Sequence, residues 1–214
     1  MKEFDLSGIT YLRPVREGTD EWYYALDYPD GDLYEAEELF EDGLPLEGNN
    51  LYLIHYPDGA VIKPVEQKPN VALGEPVYSD GHISFAAVDF PAGRIIIYRF
   101  DCAARRLETL AELPLSDVKD CYNLRLFEHP LTLTRQANDG FLELVWPVHK
   151  SIAIGPTESF FFRQGRRLFF SAWYEDPDYR EELIIRDADT GEILEKQPGD
   201  IQVMPNGELW YLKS

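Results

Sequence analysis

Cysteine is scarce in this chain, with Cys102 and Cys121 the only two among 214 residues. Two thiols without CxxC spacing exclude a disulfide framework, so reduced and partly buried thiols are expected, a single bridge being the alternative. Long apolar runs are missing as well: none approaches the eighteen or so residues of a membrane span. The start, Met1-Lys2-Glu3-Phe4-Asp5, lacks the charged and apolar regions of a secretory signal. The expectation is a cytoplasmic protein without a membrane partner.

Positive charge is the third shortage. Twenty Lys and Arg stand against 39 Asp and Glu, a formal net charge of -19. Such a balance repels phosphate backbones and anionic lipid, so nucleic acid is excluded as an expected partner. The acids are dispersed among many turns, which suits a solvated surface; their functional counterpart is docking to a basic protein.

The sequence also lacks GxSxG, a phosphate-binding loop ending in Gly-Lys-Ser or Gly-Lys-Thr, GxGxxG and HExxH. Enzymes of those types are excluded. Whether the chain is an enzyme at all stays open, because an active site assembled from distant loops leaves no local signature.

What is present is a turn followed by a short apolar strand, repeated with similar chemistry. It reads Pro29-Asp30-Gly31-Asp32-Leu33-Tyr34, Pro57-Asp58-Gly59-Ala60-Val61-Ile62 and Ser79-Asp80-Gly81-His82-Ile83-Ser84. Further copies are Asn138-Asp139-Gly140-Phe141-Leu142, Gln164-Gly165-Arg166-Arg167-Leu168-Phe169 and Pro205-Asn206-Gly207-Glu208-Leu209-Trp210. Asp-Gly and Asn-Gly tolerate the positive φ of tight hairpins, and the flanking residues suit pleated strands, so each copy is expected to be a hairpin corner. Strands are expected over Ile83–Val88, Arg94–Asp101, Phe141–Trp146, Phe160–Phe162, Leu168–Tyr174, Glu182–Arg186 and Glu208–Leu212. Consecutive apolar residues such as Ile95-Ile96-Ile97-Tyr98 imply strands covered on both faces. One segment, residues 35–41, has helix formers, with an acidic strand end as its alternative. The fold class is all-β in a single domain over 1–214.

From Leu168 the chain offers four strands in succession: Leu168–Glu175, Glu182–Arg186, Glu192–Glu195 and Ile201–Met204. The middle hairpin, Ile184-Ile185-Arg186-Asp187-Ala188-Asp189-Thr190-Gly191-Glu192-Ile193-Leu194, resembles that of quinoprotein-type and tryptophan-aspartate-type β-propeller blades. A second copy fits His82–Asp89, Arg94–Asp101, Arg106–Leu113 and Tyr122–Phe127. The resemblance implies a small β-propeller; a β-sandwich or irregular barrel is the alternative. With Gly59, Gly81, Pro130, Gly165 and Gly207 as passages between blades, the spacings are 22, 49, 35 and 42. At about forty residues per blade, the chain holds roughly five irregular ones.

Under that register His55, His82 and His129 fall near corners on one face, with Asp58, Asp80 and Glu128 as sequence neighbours. They are the candidate ligands of a divalent metal, or acid/base groups, against the ordinary reading of hydrogen-bonded histidines beside turns. No other cofactor is expected. Asp187-Ala188-Asp189-Thr190-Gly191 is too short for a calcium loop and is expected to be a tight turn.

Aromatics make up 14% of the chain. Trp22, Tyr23, Trp173 and Trp210 are candidates for binding a partner or sugar; packing between blades is the competing reading, expected of Trp173, Trp210 and the run Phe160-Phe161-Phe162. Arg163, Arg166 and Arg167 form the one basic knot, expected to offset acids such as Glu158. The leading functional reading is a non-catalytic module that binds a protein or peptide. Its alternatives are a hydrolase or lyase acting on a sugar or other small molecule, and an acidic inhibitor or immunity-type protein that neutralises a basic enzyme.

Overall fold

The Asp-Gly corners fold as expected at the level of the turn but not at the level of the sheet. In the computed structural model, which describes residues 1–15, 18–204 and 208–213, the chain divides into two compact units, Met1–Leu126 and Phe127–Ser214.

In the first unit, β1 (Arg13–Pro14), β2 (Trp22–Leu26), β3 (Leu51–His55) and β4 (Ala60–Ile62) pair antiparallel in chain order. A second sheet holds β5 (Val71–Leu73), β6 (Val77–Ser79), β7 (His82–Asp89), β8 (Arg94–Asp101) and β9 (Arg106–Pro114). Both β5 and β6 lie along one edge of β7, Val71 opposite Asp89 and Ser79 opposite His82. Together they act as one first strand interrupted at Pro76, which has no N–H to give to the ladder. Side chains two residues apart, Trp22, Tyr24 and Leu26, then Leu51 and Leu53, pack against Ile83, Phe85 and Ala87. The opposite face of the first sheet, at Ala25, Tyr52 and Ile54, is covered by Leu6 and Ile9. Burial on both faces is what the consecutive apolar residues required.

The connection from β2 to β3 contains α1, Leu33–Glu41. Asp32 is its N-cap, its carboxylate accepting from the Tyr34 and Glu35 amides at 3.0 and 3.1 Å. The corner at Pro29-Asp30-Gly31 is therefore a helix entry, contrary to the hairpin expected, because the residue after the glycine satisfies helix donors rather than continuing a ladder.

A third sheet runs β10 (Arg125–Phe127), β11 (Thr132–Gln136), β12 (Phe141–Trp146) and β13 (Lys150–Ala153). The second unit continues with a fourth sheet of β14 (Glu158–Gln164), β15 (Arg167–Tyr174), β16 (Arg180–Asp187) and β17 (Ile193–Pro198), then a two-stranded ribbon, β18 (Asp200–Val203) and β19 (Leu209–Leu212). One face of the fourth sheet, through Leu168, Phe170 and Ile184, packs on Leu142, Leu144 and Ile152 of the third. The other, through Phe162, Phe169, Leu183 and Ile185, packs on Ile201 of the ribbon. A bulge in β14 puts its aromatics on different faces: Phe160 lies opposite Phe170 and Phe162 opposite Phe169, with Phe161 between them unpaired. Phe161 is consequently 41% exposed, not packed as expected.

The described residues are all-β with one short α-helix, and their antiparallel four-strand meanders resemble propeller blades. Four such sheets and one ribbon compare with the roughly five irregular blades expected. The blade register is corrected by one strand. Gly59, Gly81 and Gly165 turn hairpins inside sheets, between β3 and β4, β6 and β7, and β14 and β15. At Asp80 and Gly81 φ is +50° and +80°, the two positive values of a type I′ turn whose twist matches paired strands. A turn so well suited to closing a hairpin is a poor marker for leaving a sheet. The segment Ile201–Val203 accordingly belongs to the ribbon, and the corner at Pro205-Asn206-Gly207 lies outside the described residues.

Candidate functional site

Each candidate histidine is held by its own turn. His55 ends β3, and its Nδ1 lies 2.9 Å from Asp58 Oδ1, while its Nε2 is 3.9 Å from Glu21. Asp58 also accepts from the Ala60 amide and from Arg105, both at 2.9 Å. The Ala60 amide first, then His55 and Arg105, hold its carboxyl well below the usual range. In the β6–β7 turn, His82 Nδ1 is 2.8 Å from the Asp80 carbonyl and donates to it. His129 sits between β10 and β11 at φ +61°, its carbonyl accepting from the Gly165 amide. Among the described residues no group of three or more His, Cys, Asp and Glu side chains is arranged to hold a metal ion.

An apolar groove of about 280 Å³ adjoins His55, with Phe4, Leu12, Tyr23 and Pro57 among its walls. Tyr23 is thereby half-buried beside it. The His55–Asp58 pair resembles a base and its orienting carboxylate, yet no hydroxyl or thiol among the described residues hydrogen-bonds the ring. With Asp58 already shared by Arg105 and a backbone amide, the arrangement is that of a pinned turn.

Two of the three arginines of the knot are held within their own surroundings. Arg166 pairs with Asp187 and Asp189 at 3.0 and 2.8 Å, and Arg163 donates to the Gly165 carbonyl and to Thr132. Glu158, which Arg163, Arg166 and Arg167 were expected to offset, is taken instead by Arg186. Asp187 receives the Asp189 and Thr190 amides at 2.8 and 2.9 Å, which makes this segment the tight turn expected between β16 and β17.

The tryptophans divide sharply. Trp22 is 4% exposed, edge-on to Phe100 and 4.8 Å from the His55 ring, so it is a core residue and not a binding surface. Trp173 and Trp210 are 47% and 51% exposed, which corrects their expected packing. Phe169 and Trp173 lie four residues apart on β15 and so share a sheet face. Phe169 is covered by the ribbon's cluster while Trp173, near the strand's end, is outside it. Tyr179, Ile193, Leu194, Tyr211 and Leu212 are exposed in the same unit. Between 175 and 213 there are eleven acids and four bases. Glu175, Asp176, Asp178, Glu192 and Glu195 are exposed and take no part in any ion pair among the described residues. The sequence carried the aromatics and the acids; which tryptophan was covered depended on the width of the neighbouring sheet.

No family model matches the chain, and none of the curated proteins matches it. Among solved structures, a chain from "Crystal Structure of Mitotic Checkpoint Complex" is similar at 13% identity and a TM-score of 0.46 over 91% of this chain. The match takes in 54% of that chain, so this one spans about half its length.

Proposed function

We propose that the protein is a non-catalytic binding module whose second unit presents an acidic, aromatic surface to a basic protein or peptide. The observation that carries this is the exposure of Trp173 and Trp210 in a unit whose exposed Glu175, Asp176, Asp178, Glu192 and Glu195 take part in no ion pair among the described residues. Large aromatic rings left in water gain by burial against a partner and are over-represented where binding energy concentrates. A net charge of -19 speeds encounter with a cationic partner and disfavours an anionic one. Neutralisation of a basic enzyme is the narrower form of the same reading.

The test is partner capture with three proteins: wild type, a Trp173→Ala/Trp210→Ala double variant, and a Tyr28→Ala/Tyr56→Ala control altered on the first unit. A basic partner held in low salt by wild type and control, and lost by the double variant, is expected. Equal retention by all three would remove the reading.

A further inference from the structure

Five aspartates precede a glycine in this chain: Asp30, Asp42, Asp58, Asp80 and Asp139. Glycine has no β-carbon to crowd its nitrogen, so in each pair the glycine amide is a potential nucleophile toward the aspartate's own carboxyl. Attack needs a carboxyl that other groups do not hold, and a backbone that turns the amide nitrogen toward the side chain. The structure denies this to four of the five.

Asp58 accepts from His55, Ala60 and Arg105, and the Gly59 amide is bonded to the His55 carbonyl at 2.8 Å. Asp139 accepts from Arg135 at 3.0 Å and from the Phe141 amide at 3.3 Å. Asp42 ends α1 at ψ -2°, with the Gly43 amide bonded to the Phe40 carbonyl at 3.1 Å, so turning its peptide would undo the helix end. Asp30 and Gly31 have φ of +57° and +86°, close to the values at Asp80 and Gly81. There, however, Arg13 and Tyr11 hold the carboxylate, and Gly31 is wedged against Glu75 and Leu26.

Asp80 differs on each count. It is exposed, enters no ion pair among the described residues, and its carboxylate accepts one long hydrogen bond, from the Ser79 hydroxyl at 3.4 Å. Nothing lies within 4 Å of where a Gly81 β-carbon would stand, so the turn has room to move. Type I′ and II′ turns share a positive φ at the first central residue and differ by a flip of the central peptide, which brings ψ there to about -120°. In that form the Gly81 nitrogen swings to the side of the Asp80 β-carbon, as a five-membered ring requires. Both turns close a two-residue hairpin, so β6 and β7 stay paired through the flip. What holds the I′ form is the bond from His82 Nδ1 to the Asp80 carbonyl at 2.8 Å, with the Gly81 amide donating to the Tyr78 hydroxyl.

The geometry points to Asp80-Gly81 as a modification site at which the backbone isomerises to isoaspartate through a succinimide. The Gly81 nitrogen bonds to Asp80 Cγ, the bond from Cγ to its hydroxyl breaks, and that hydroxyl leaves with the amide proton as water. Water then opens the ring. Addition at Cγ restores aspartate; addition at the Asp80 backbone carbonyl carbon breaks its bond to the Gly81 nitrogen and leaves the chain running through Cγ. Nothing is oxidised or reduced, and water is the only reagent. The product carries an extra backbone carbon between β6 and β7 and a free α-carboxylate, the group an isoaspartyl carboxyl methyltransferase methylates.

The full chain is aged at neutral pH, folded in one sample and in urea in another, then digested, and isoaspartate is located peptide by peptide by electron-transfer fragmentation. Peptide resolution matters because Asn206-Gly207 yields the same product by a route that changes mass. In the folded chain Asp80 is expected to convert several-fold faster than Asp30, Asp42, Asp58 and Asp139, and in urea the five rates should converge. His82→Ala should quicken conversion at Asp80 in the folded chain and leave the rate in urea unchanged. A folded-state rate at Asp80 no higher than at the other four would overturn the site, and His82→Ala without acceleration would overturn the peptide flip as its route.

Discussion

Arg186 donates from Nε and Nη2 to the two carboxylate oxygens of Glu158, each at 2.8 Å, with the side chains 12% and 6% exposed. Its remaining nitrogen donates to the Gly191 carbonyl at 2.8 Å. The fork therefore joins the start of β14 to β16 and to the turn that follows it. Removing one partner leaves the other charge buried, which costs about 3–5 kcal/mol. Arg186→Ala and Glu158→Ala are each expected to lower stability by that order in urea unfolding. The double variant should fall well short of the sum, and Arg186→Lys should restore little because an ammonium cannot make the paired contact.

Glu37 predicts a pH dependence. Burial pushes its carboxyl up, and the charges of Glu41 and Asp120 add to this against the opposing hydrogen bond from the Cys121 amide. The folded state thus holds its proton more tightly than the unfolded chain does. The resulting stability is present below the ordinary value of 4.5 and is lost as pH rises through the higher folded value. Glu37→Gln keeps an acceptor for Cys121 and removes the charge. Its Tm relative to wild type should increase from pH 4 to pH 7; a constant difference across that range would contradict the assignment.

The entry to α1 depends on Asp32. Asp32→Ala leaves the Tyr34 and Glu35 amides without their side-chain acceptor and should cost about 0.5–2 kcal/mol, whereas Asp32→Asn should cost less. Chemical denaturation of the three proteins in parallel measures both differences.

Both cysteines are free thiols. Burial, with the charge of Asp101, pushes Cys102 up to about 11, and burial with the Glu37 charge pushes Cys121 higher still. Since the thiolate is the reactive form, alkylation by iodoacetamide at pH 8 should be slow at both and should quicken sharply in urea. With rising pH, mass spectrometry of the native protein should find Cys102 modified first.

Trp22 and the two exposed tryptophans should respond in opposite ways. Trp22→Ala opens a cavity in the first unit's core and should cost about 3–5 kcal/mol. Trp173→Ala and Trp210→Ala should each change stability by about 0.5 kcal/mol or less. Acrylamide quenching of emission should fall in the latter variants and persist in Trp22→Phe.

The strand segments were legible in the residues: Arg94–Asp101 and Phe141–Trp146 have the bounds expected of them, and the run from Leu168 to Tyr174 begins one residue earlier, at Arg167. Local chemistry suffices there, because β-branched and aromatic residues between positive-φ turns admit few other conformations. The grouping of strands into sheets was not legible in the same way. A glycine turn looks alike whether it closes a hairpin or leaves a sheet, and the hydrogen bonds that distinguish the cases run to residues far away in the chain.

The same division applies to the site. Composition alone determined an acidic, aromatic, β-rich chain without the common catalytic motifs, and its glycine turns marked where some hairpins close, at Gly59, Gly81, Gly140 and Gly165. Tertiary structure decided that His55, His82 and His129 each serve a separate turn, that Trp22 is core, and that Trp173 and Trp210 meet water. The reason is physical: a side chain's face is set by local alternation, but its cover is set by the width and register of whichever sheet packs against it.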